Sequence, residues 1–260
     1  METLLNKYNQ LLDHIFSTPP EILLGQLVVA WVIYFCLKSL YYLLSVRLTG
    51  RHRKPISFDR GPEKRILLVG DSTAVGTGSN DEGKTLAAFL AKDYPDTSII
   101  NRSQNGALTK RVLELLEGEV DNHYDMIMIS TGGNDVWGLT RMKSLRLDFS
   151  RMIKLASLMS NGKVAVLFFG NEGSAPFFPW LLKGFLLRRT HKIRDLFAEV
   201  CHEEEVEFFE LFSSPSNNPF VKDPKNNFAP DGLHPNENGY WNWYKHIWRL
   251  IADKGFNKLK

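Results

Sequence analysis

Five short apolar runs punctuate this chain, and the distances between them leave few folds open. They fall at 66–69, 98–100, 126–129, 164–169 and 206–209. Each is too short for a helix, and the first stops at Gly70, as buried strands do. Stretches of helical length lie between them at 84–93, 107–120, 141–160 and 180–204, and a last one follows at 236–253. Strands alternating with helices predict an α/β fold with a five-stranded parallel sheet covered on both faces. Open sheets of this kind bind ligands beyond the carboxyl ends of their strands. No internal repeat or low-complexity tract interrupts the alternation.

A separate device precedes the alternating region. Positions 22–37 carry no charge, and if Lys38 is accepted the apolar run reaches Val46, which gives 25 residues where a hydrocarbon core needs about 20. Lys38 can snorkel its ammonium toward the interface. Tyr41 and Tyr42 stand where an aromatic belt belongs. Thr18-Pro19-Pro20-Glu21 offers a capping hydroxyl, Pro19 at the first helical position and a first-turn carboxylate. The run reads as a transmembrane helix at 22–46. A cleaved signal peptide would need a basic start and a small-residue cleavage site, and the sequence has neither; a buried core helix is the plainer alternative. Upstream, in the segment 1–21, Leu4, Leu5, Tyr8, Leu11, Leu12, Ile15 and Phe16 form an apolar stripe at helical spacing. It suits a membrane surface or an ordinary packed helix equally.

Charge supports this division. Residues 1–54 hold six Lys/Arg against three acids, and the rest of the chain carries 26 of each. A balanced main domain has no electrostatic basis for nucleic-acid binding. Four of the six basic residues lie at 47–54, a basic linker that runs on to position 62, against Lys7 alone before the span. The positive-inside rule then places the domain at 63–260 in the cytoplasm as a single-pass membrane protein. Two cysteines, Cys36 and Cys201, exclude a disulfide scaffold and a cysteine-rich zinc site.

The residues just past the strand ends carry the chemistry. Gly70-Asp71-Ser72 follows the first strand, and Asn101 and Asn105-Gly106 follow the second. Gly132-Gly133-Asn134-Asp135 follows the third, and the fifth leads to Asp231-Gly232-Leu233-His234-Pro235-Asn236. Each motif alone is common turn chemistry. Together, on one rim, they supply a hydroxyl nucleophile, a base, an orienting carboxylate and donors for an oxyanion, the requirements of acyl transfer. The other six histidines receive no role.

From about Lys64 to Ala252 the sequence resembles the SGNH hydrolases, also called the GDSL esterase/lipase family, on those four blocks. The resemblance implies a three-layer flavodoxin-like sandwich and a carboxylic ester hydrolase with no metal or organic cofactor. It places Ser72 as nucleophile, Asp231 and His234 as its partners, and the Ser72 amide, the Gly106 amide and the Asn134 side chain as the oxyanion hole. Around Gly106 the local sequence is looser than the family pattern. Asp71 and Asp135 read as turn-shaping residues. The expected partners are the lipid bilayer, through the N-terminal helix, and an acyl ester.

The substrate is less constrained. The apolar stretch from Ala175 to Leu187 lies past the fourth strand. It suits an acyl pocket or bilayer contact, and equally an ordinary helix start packed on the sheet. Tethering near lipid favours a lipid-like ester or thioester; a carbohydrate O-acetyl esterase, an acyltransferase and an inactive membrane-anchored binding module would carry the same blocks. A remote alternative is a P-loop NTPase, because Gly78-Ser79-Asn80-Asp81-Glu82-Gly83-Lys84-Thr85 satisfies the phosphate-loop pattern. Its position well after the first strand and its two carboxylates argue for a plain glycine-rich connection.

Overall fold

Each apolar run becomes a strand. In the computed structural model, which describes residues 19–51, 53–61, 63–161, 163–170, 175–211 and 218–253, these are β1 (Arg65–Gly70), β2 (Ser98–Asn101), β3 (Met126–Ser130), β4 (Val164–Phe168) and β5 (Glu207–Glu210). All neighbours pair in parallel, in the order β2-β1-β3-β4-β5. Leu67 lies opposite Ile100 in β2 and Ile127 in β3, and Val166 opposite Ile129 and Phe208. Every residue of β3 and β4 is buried, which explains why these strands read as unbroken apolar runs rather than alternating ones. Edge strand β5 is only half-buried and carries Glu207 and Glu210, charges that suit an edge.

The chain divides into two compact units, Met1–Leu44 and Ser45–Lys260. Helix α1 (Pro20–Arg51) begins in the first and ends in the second. The helices that follow are α2 (Ser72–Val75), α3 (Leu86–Asp93), α4 (Thr109–Glu117), α5 (Gly133–Trp137), α6 (Met142–Met159), α7 (Trp180–Glu203), α8 (Pro219–Lys222), α9 (Pro224–Asn227) and α10 (Glu237–Asp253). Two groups of helices cover the sheet. In one, α3 meets α10, with the Tyr244 hydroxyl donating to Asp93 Oδ2 at 2.6 Å and the Phe89 ring 5.2 Å from Trp241. In the other, α4 packs on α6 and α6 on α7. There the Phe149 and Phe197 rings stack at 3.7 Å, and Phe168 of β4 meets Phe197 edge-on.

Helix α1 has 32 residues and is about 48 Å long at 1.5 Å per residue. Its stretch Glu21–Lys38 is long and apolar enough to cross a membrane, and none of it is buried within the protein. The Pro19 carbonyl accepts from the Leu23 amide at 3.1 Å, so the first helical residue is Pro20, one later than the sequence suggested. Thr18 and the apolar stripe from Leu4 to Phe16 lie outside the described residues. The stretch read as a linker, 47–62, has two parts. Its start continues α1 to Arg51, and its end is fastened to the outer edge of β2. Phe58 exchanges backbone hydrogen bonds with Ile99 at 2.8 and 2.9 Å, and the Arg60 amide donates to Ser98 Oγ at 2.7 Å. The segment thereby covers a strand edge that would otherwise expose unpaired amides.

Phe197 is fully buried between α6 and β4. Phe197→Ala is expected to destabilise the protein by about 3–5 kcal/mol, read as a lower denaturation midpoint at unchanged slope. A loss under about 1 kcal/mol would mean that the cavity collapses and this packing matters less than its burial implies.

Candidate active site

The strand order puts the topological switch between β1 and β3, and the crevice opens at their carboxyl ends. Gly70 ends β1 where a Cβ would lie 2.2 Å from the Ser130 carbonyl oxygen of β3, so only glycine lets the two strand ends come this close. Asp71 then caps α2, accepting from the Thr73 amide at 2.9 Å and the Thr73 hydroxyl at 2.6 Å. Ser72 is left as the first residue of a short helix, where backbone amides lack intrahelical acceptors. Burial pushes the Asp71 carboxyl above its ordinary value, and the Thr73 hydrogen bonds offset only part of this. The Asn101 side chain donates to the Ala74 carbonyl at 2.8 Å and ties the end of β2 to α2.

The loop before α10 supplies the other half of the crevice. Phe228 and Pro235 form a bridge, and the Ala229 amide donates to the His234 carbonyl at 2.8 Å. Asp231 has no solvent exposure. Its Oδ1 accepts from the Leu233 and His234 amides at 2.9 and 3.0 Å, and its Oδ2 lies 2.7 Å from His234 Nδ1. Burial alone would raise the Asp231 pKa. The hydrogen bond and charge of the His234 ring, with the two amides, outweigh it and hold the carboxyl below its ordinary value. On the other side of the ring, His234 Nε2 is 2.9 Å from Ser72 Oγ, across 162 residues of sequence. An unbroken hydrogen-bonded path thus runs from a buried carboxylate through an imidazole to a hydroxyl.

Asn134 stands in the first turn of α5, with its side-chain amide donating to the Ala107 carbonyl at 3.0 Å. Together with Ser72 and His234 it lines a small cleft of about 60 Å³, whose walls include Phe169, Leu233 and Trp243. Gly106 is placed differently. It occupies an exposed turn at φ +72°, one residue before the Ala107 carbonyl that holds Asn134, and is not among the residues lining the cleft. Asp135 is buried and accepts from the Thr109 amide, the Thr109 hydroxyl and the Thr140 hydroxyl at 2.9, 2.7 and 2.6 Å. It joins the β3 loop to the start of α4, well beyond the local turn the sequence suggested.

The glycine-rich segment 78–85 makes no phosphate cradle. It is separated from β1 by α2, the Gly83 amide is taken by Asp81 at 2.8 Å, and the Thr85 hydroxyl caps α3. Lys84 pairs with Asp81 at 3.5 Å. Gly78 has a different importance. At φ +97°, a Cβ there would lie 2.3 Å from the Pro235 carbonyl and 2.7 Å from His234 Cβ, so its lack of a side chain admits the histidine loop against the serine loop. The sequence marked the residue only as part of a glycine-rich connection. Thr77, next to it, donates to Asn105 Oδ1 at 2.5 Å, and its carbonyl accepts from the buried Tyr240 hydroxyl at 2.7 Å. Neither contact had a signal in spacing or composition.

Residues 68–241 match the model of the GDSL-like lipase/acylhydrolase family. No curated protein matches the sequence. Among solved structures, the chain is similar to TesA at 18% identity and a TM-score of 0.59, over 72% of this chain and 98% of that one. It is similar to a lipase/acylhydrolase from Enterococcus faecalis at 23% identity and 0.55, covering 74% and 96%. It is also similar to a mutant acetyl-xylooligosaccharide esterase from Geobacillus Stearmophilus at 17% and 0.54, covering 75% and 96%.

Two variants separate geometry from electrostatics here. Gly78→Ala is expected to displace His234 and lower ester turnover about a hundredfold, measured on a soluble short-chain ester; turnover within twofold of wild type would contradict the close approach. Asp71→Asn keeps a capping oxygen and removes a buried charge. Because the folded pKa of Asp71 is raised, its ionisation opposes folding above the unfolded value of about 3.9. Asp71→Asn should therefore raise the melting temperature at pH 7 and leave it unchanged at pH 3, and equal shifts at both pH values would refute the electrostatic cause.

Proposed function

The chain belongs to the GDSL-like lipase/acylhydrolase family and is a carboxylic ester hydrolase, and from that premise we propose that it is a membrane-anchored serine hydrolase of lipid-like acyl esters working through Ser72, His234 and Asp231. The observation that carries this reading is the pair of hydrogen bonds at 2.9 and 2.7 Å that joins the serine hydroxyl, the imidazole and the buried carboxylate.

Neutral His234 accepts the Ser72 proton at Nε2 as Oγ attacks the acyl carbonyl. Asp231 keeps the other proton on Nδ1 and stabilises the imidazolium that forms. The carbonyl oxygen becomes an oxyanion, and the Ser72 amide, the Asn134 side chain and the Gly106 amide are its proposed donors. Asn134 has two N–H groups and spends one on Ala107, leaving the other for the substrate. His234 then gives its proton to the leaving oxygen. Water, deprotonated by the same ring, attacks the acyl-serine; the Oγ–acyl bond breaks, the ring returns the proton to Ser72 Oγ, and the carboxylic acid leaves. The low pKa of Asp231 keeps it ionised throughout, as an orienting carboxylate must be.

The apolar stretch Glu21–Lys38 of α1 and the basic residues Arg47, Arg51, Arg53 and Lys54 beyond it support a single-pass anchor with the hydrolase domain on the cytoplasmic side. The aromatic and aliphatic walls of the cleft support an acyl group as the part of the substrate held there. Its small volume favours a second reading, a short acyl group such as acetyl on a carbohydrate. A series of esters from acetyl to palmitoyl separates the two, with rising turnover along the series expected for the lipid reading.

Ser72→Ala and His234→Ala should each lower kcat about a million-fold, and Ser72→Ala should also abolish labelling by a fluorophosphonate. Asn134→Ala should retain labelling and lose about 10²–10³ in kcat. Undiminished labelling of Ser72→Ala would assign the reactive serine elsewhere.

A further inference from the structure

Helix α7 begins beside the crevice, and apart from the buried Leu186 the large apolar side chains of its first two turns are exposed. Trp180 is 68% exposed and Leu181 58%, and Leu182, Phe185 and Leu187 are exposed as well. The end of α5 and the loop after it add Trp137 and Leu139, also exposed. The two segments form one surface, because the Arg189 guanidinium reaches from α7 to the carbonyls of Asp135, Val136 and Thr140. That surface starts at the cleft itself. Trp137 lines the cleft with Ser72, and the Phe177 amide, just before α7, donates to the Gly232 carbonyl in the His234 loop at 3.0 Å. Large apolar side chains gathered at one mouth exceed the scatter of single exposed hydrophobics on an ordinary surface. Leu139 also holds φ +54°, a backbone region that branched L residues seldom enter, while pointing an apolar side chain at water.

Charge selects the occupant. From Val136 to Leu147 the sequence has three basic residues and no acid, and from Ala175 to Arg194 it has five and no acid; Arg146 is taken up by Glu199 and Glu203 and Arg194 by Asp195 and Glu210, so the others set the sign of the rim. Arg141, Lys143, Arg188 and Lys192 are exposed. The whole of 55–260 is neutral, so this one-signed fringe is local. A second copy of the chain would set like charges against each other. An anionic lipid surface offers an apolar interior beneath a negative plane, which is the complement of this rim.

We propose that this rim docks the hydrolase domain onto an anionic bilayer, with the apolar side chains of early α7 and Leu139 among the acyl chains and Arg188 and Lys192 at the phosphates. The crevice then opens against the lipid, and an ester enters it without crossing water. The ester part of this proposal rests on the function proposed above, but the docking does not.

The test uses the full chain reconstituted in vesicles of phosphatidylcholine and phosphatidylglycerol. With brominated acyl chains, wild-type fluorescence should be quenched, and Trp180→Phe should remove part of the quenched signal; a Trp180 contribution that bromine does not touch would overturn docking. The combined variant Leu139→Ser, Leu181→Ser, Phe185→Ser should hydrolyse soluble p-nitrophenyl acetate at the wild-type rate and lose about tenfold or more on a long-chain ester held in the vesicles. Equal loss on both esters would make the rim a support for the fold and refute the proposal. Unchanged vesicle hydrolysis with a smaller oligomer would assign the surface to a second copy and refute it too. Ser72→Ala should keep the quenching while losing turnover. If it kept its turnover, the serine mechanism would fail while the quenching still decided docking.

Discussion

A carboxylate with no exposure to water is costly unless its hydrogen bonds are met, and the crevice is organised around meeting those of Asp231. Two backbone amides and one imidazole nitrogen converge on it. The amides belong to Leu233 and His234 themselves, so satisfying the charge also fixes the backbone that carries the imidazole. The ring has little freedom left: Nδ1 is committed to the carboxylate, and Nε2 points at Ser72. The burial of one acid thus sets the direction in which a distant hydroxyl meets its base.

That alignment works only if the loop after β1 and the loop before α10 come into van der Waals contact. Glycine makes this contact possible at one position and the neighbouring approach of β1 to β3 possible at another. Gly70 lets the end of β1 sit against the Ser130 carbonyl, and Gly78 leaves room for Pro235 and His234. Tyr240 adds a tie from α10 to Thr77, and Asn101 ties the end of β2 to α2. Several independent elements therefore hold each part of the site from behind, as preorganised donors and bases require.

Much of this was legible in advance, for reasons that can be named. Parallel strands buried on both faces must be continuously apolar, and so Met126–Ser130 and Val164–Phe168 stood out within a residue of their bounds. Ser72, Asn134, Asp231 and His234 stood out because each follows a strand or its connection on the same rim; the fold brings Ser72, Asn134 and His234 to one cleft, with Asp231 buried behind the His234 ring. Gly106 was marked by the same rule, yet its turn is exposed and outside the cleft lining. Gly78 was visible only as one letter of a misleading motif, since the clash it avoids is with residues over 150 positions away. Asp135 looked like local turn chemistry because Thr109, which gives it two of its three hydrogen bonds, lies 26 positions away and meets it only after folding.

The apolar segment opening α7 marks the boundary between the two kinds of knowledge. Hydrophobic content and length were written in the primary structure, and so were the alternation of strand and helix, the long uncharged N-terminal run and the reactive residue types after the strands. Those are local properties, set by backbone periodicity and by the water each side chain must avoid or keep. Whether Trp180, Leu181 and Phe185 face a core or the solvent was not written there, nor was which glycine guards the histidine loop. Those outcomes depend on contacts between residues far apart in the chain, and only the packing of β1, β3, α7 and the last loop around one another decided them.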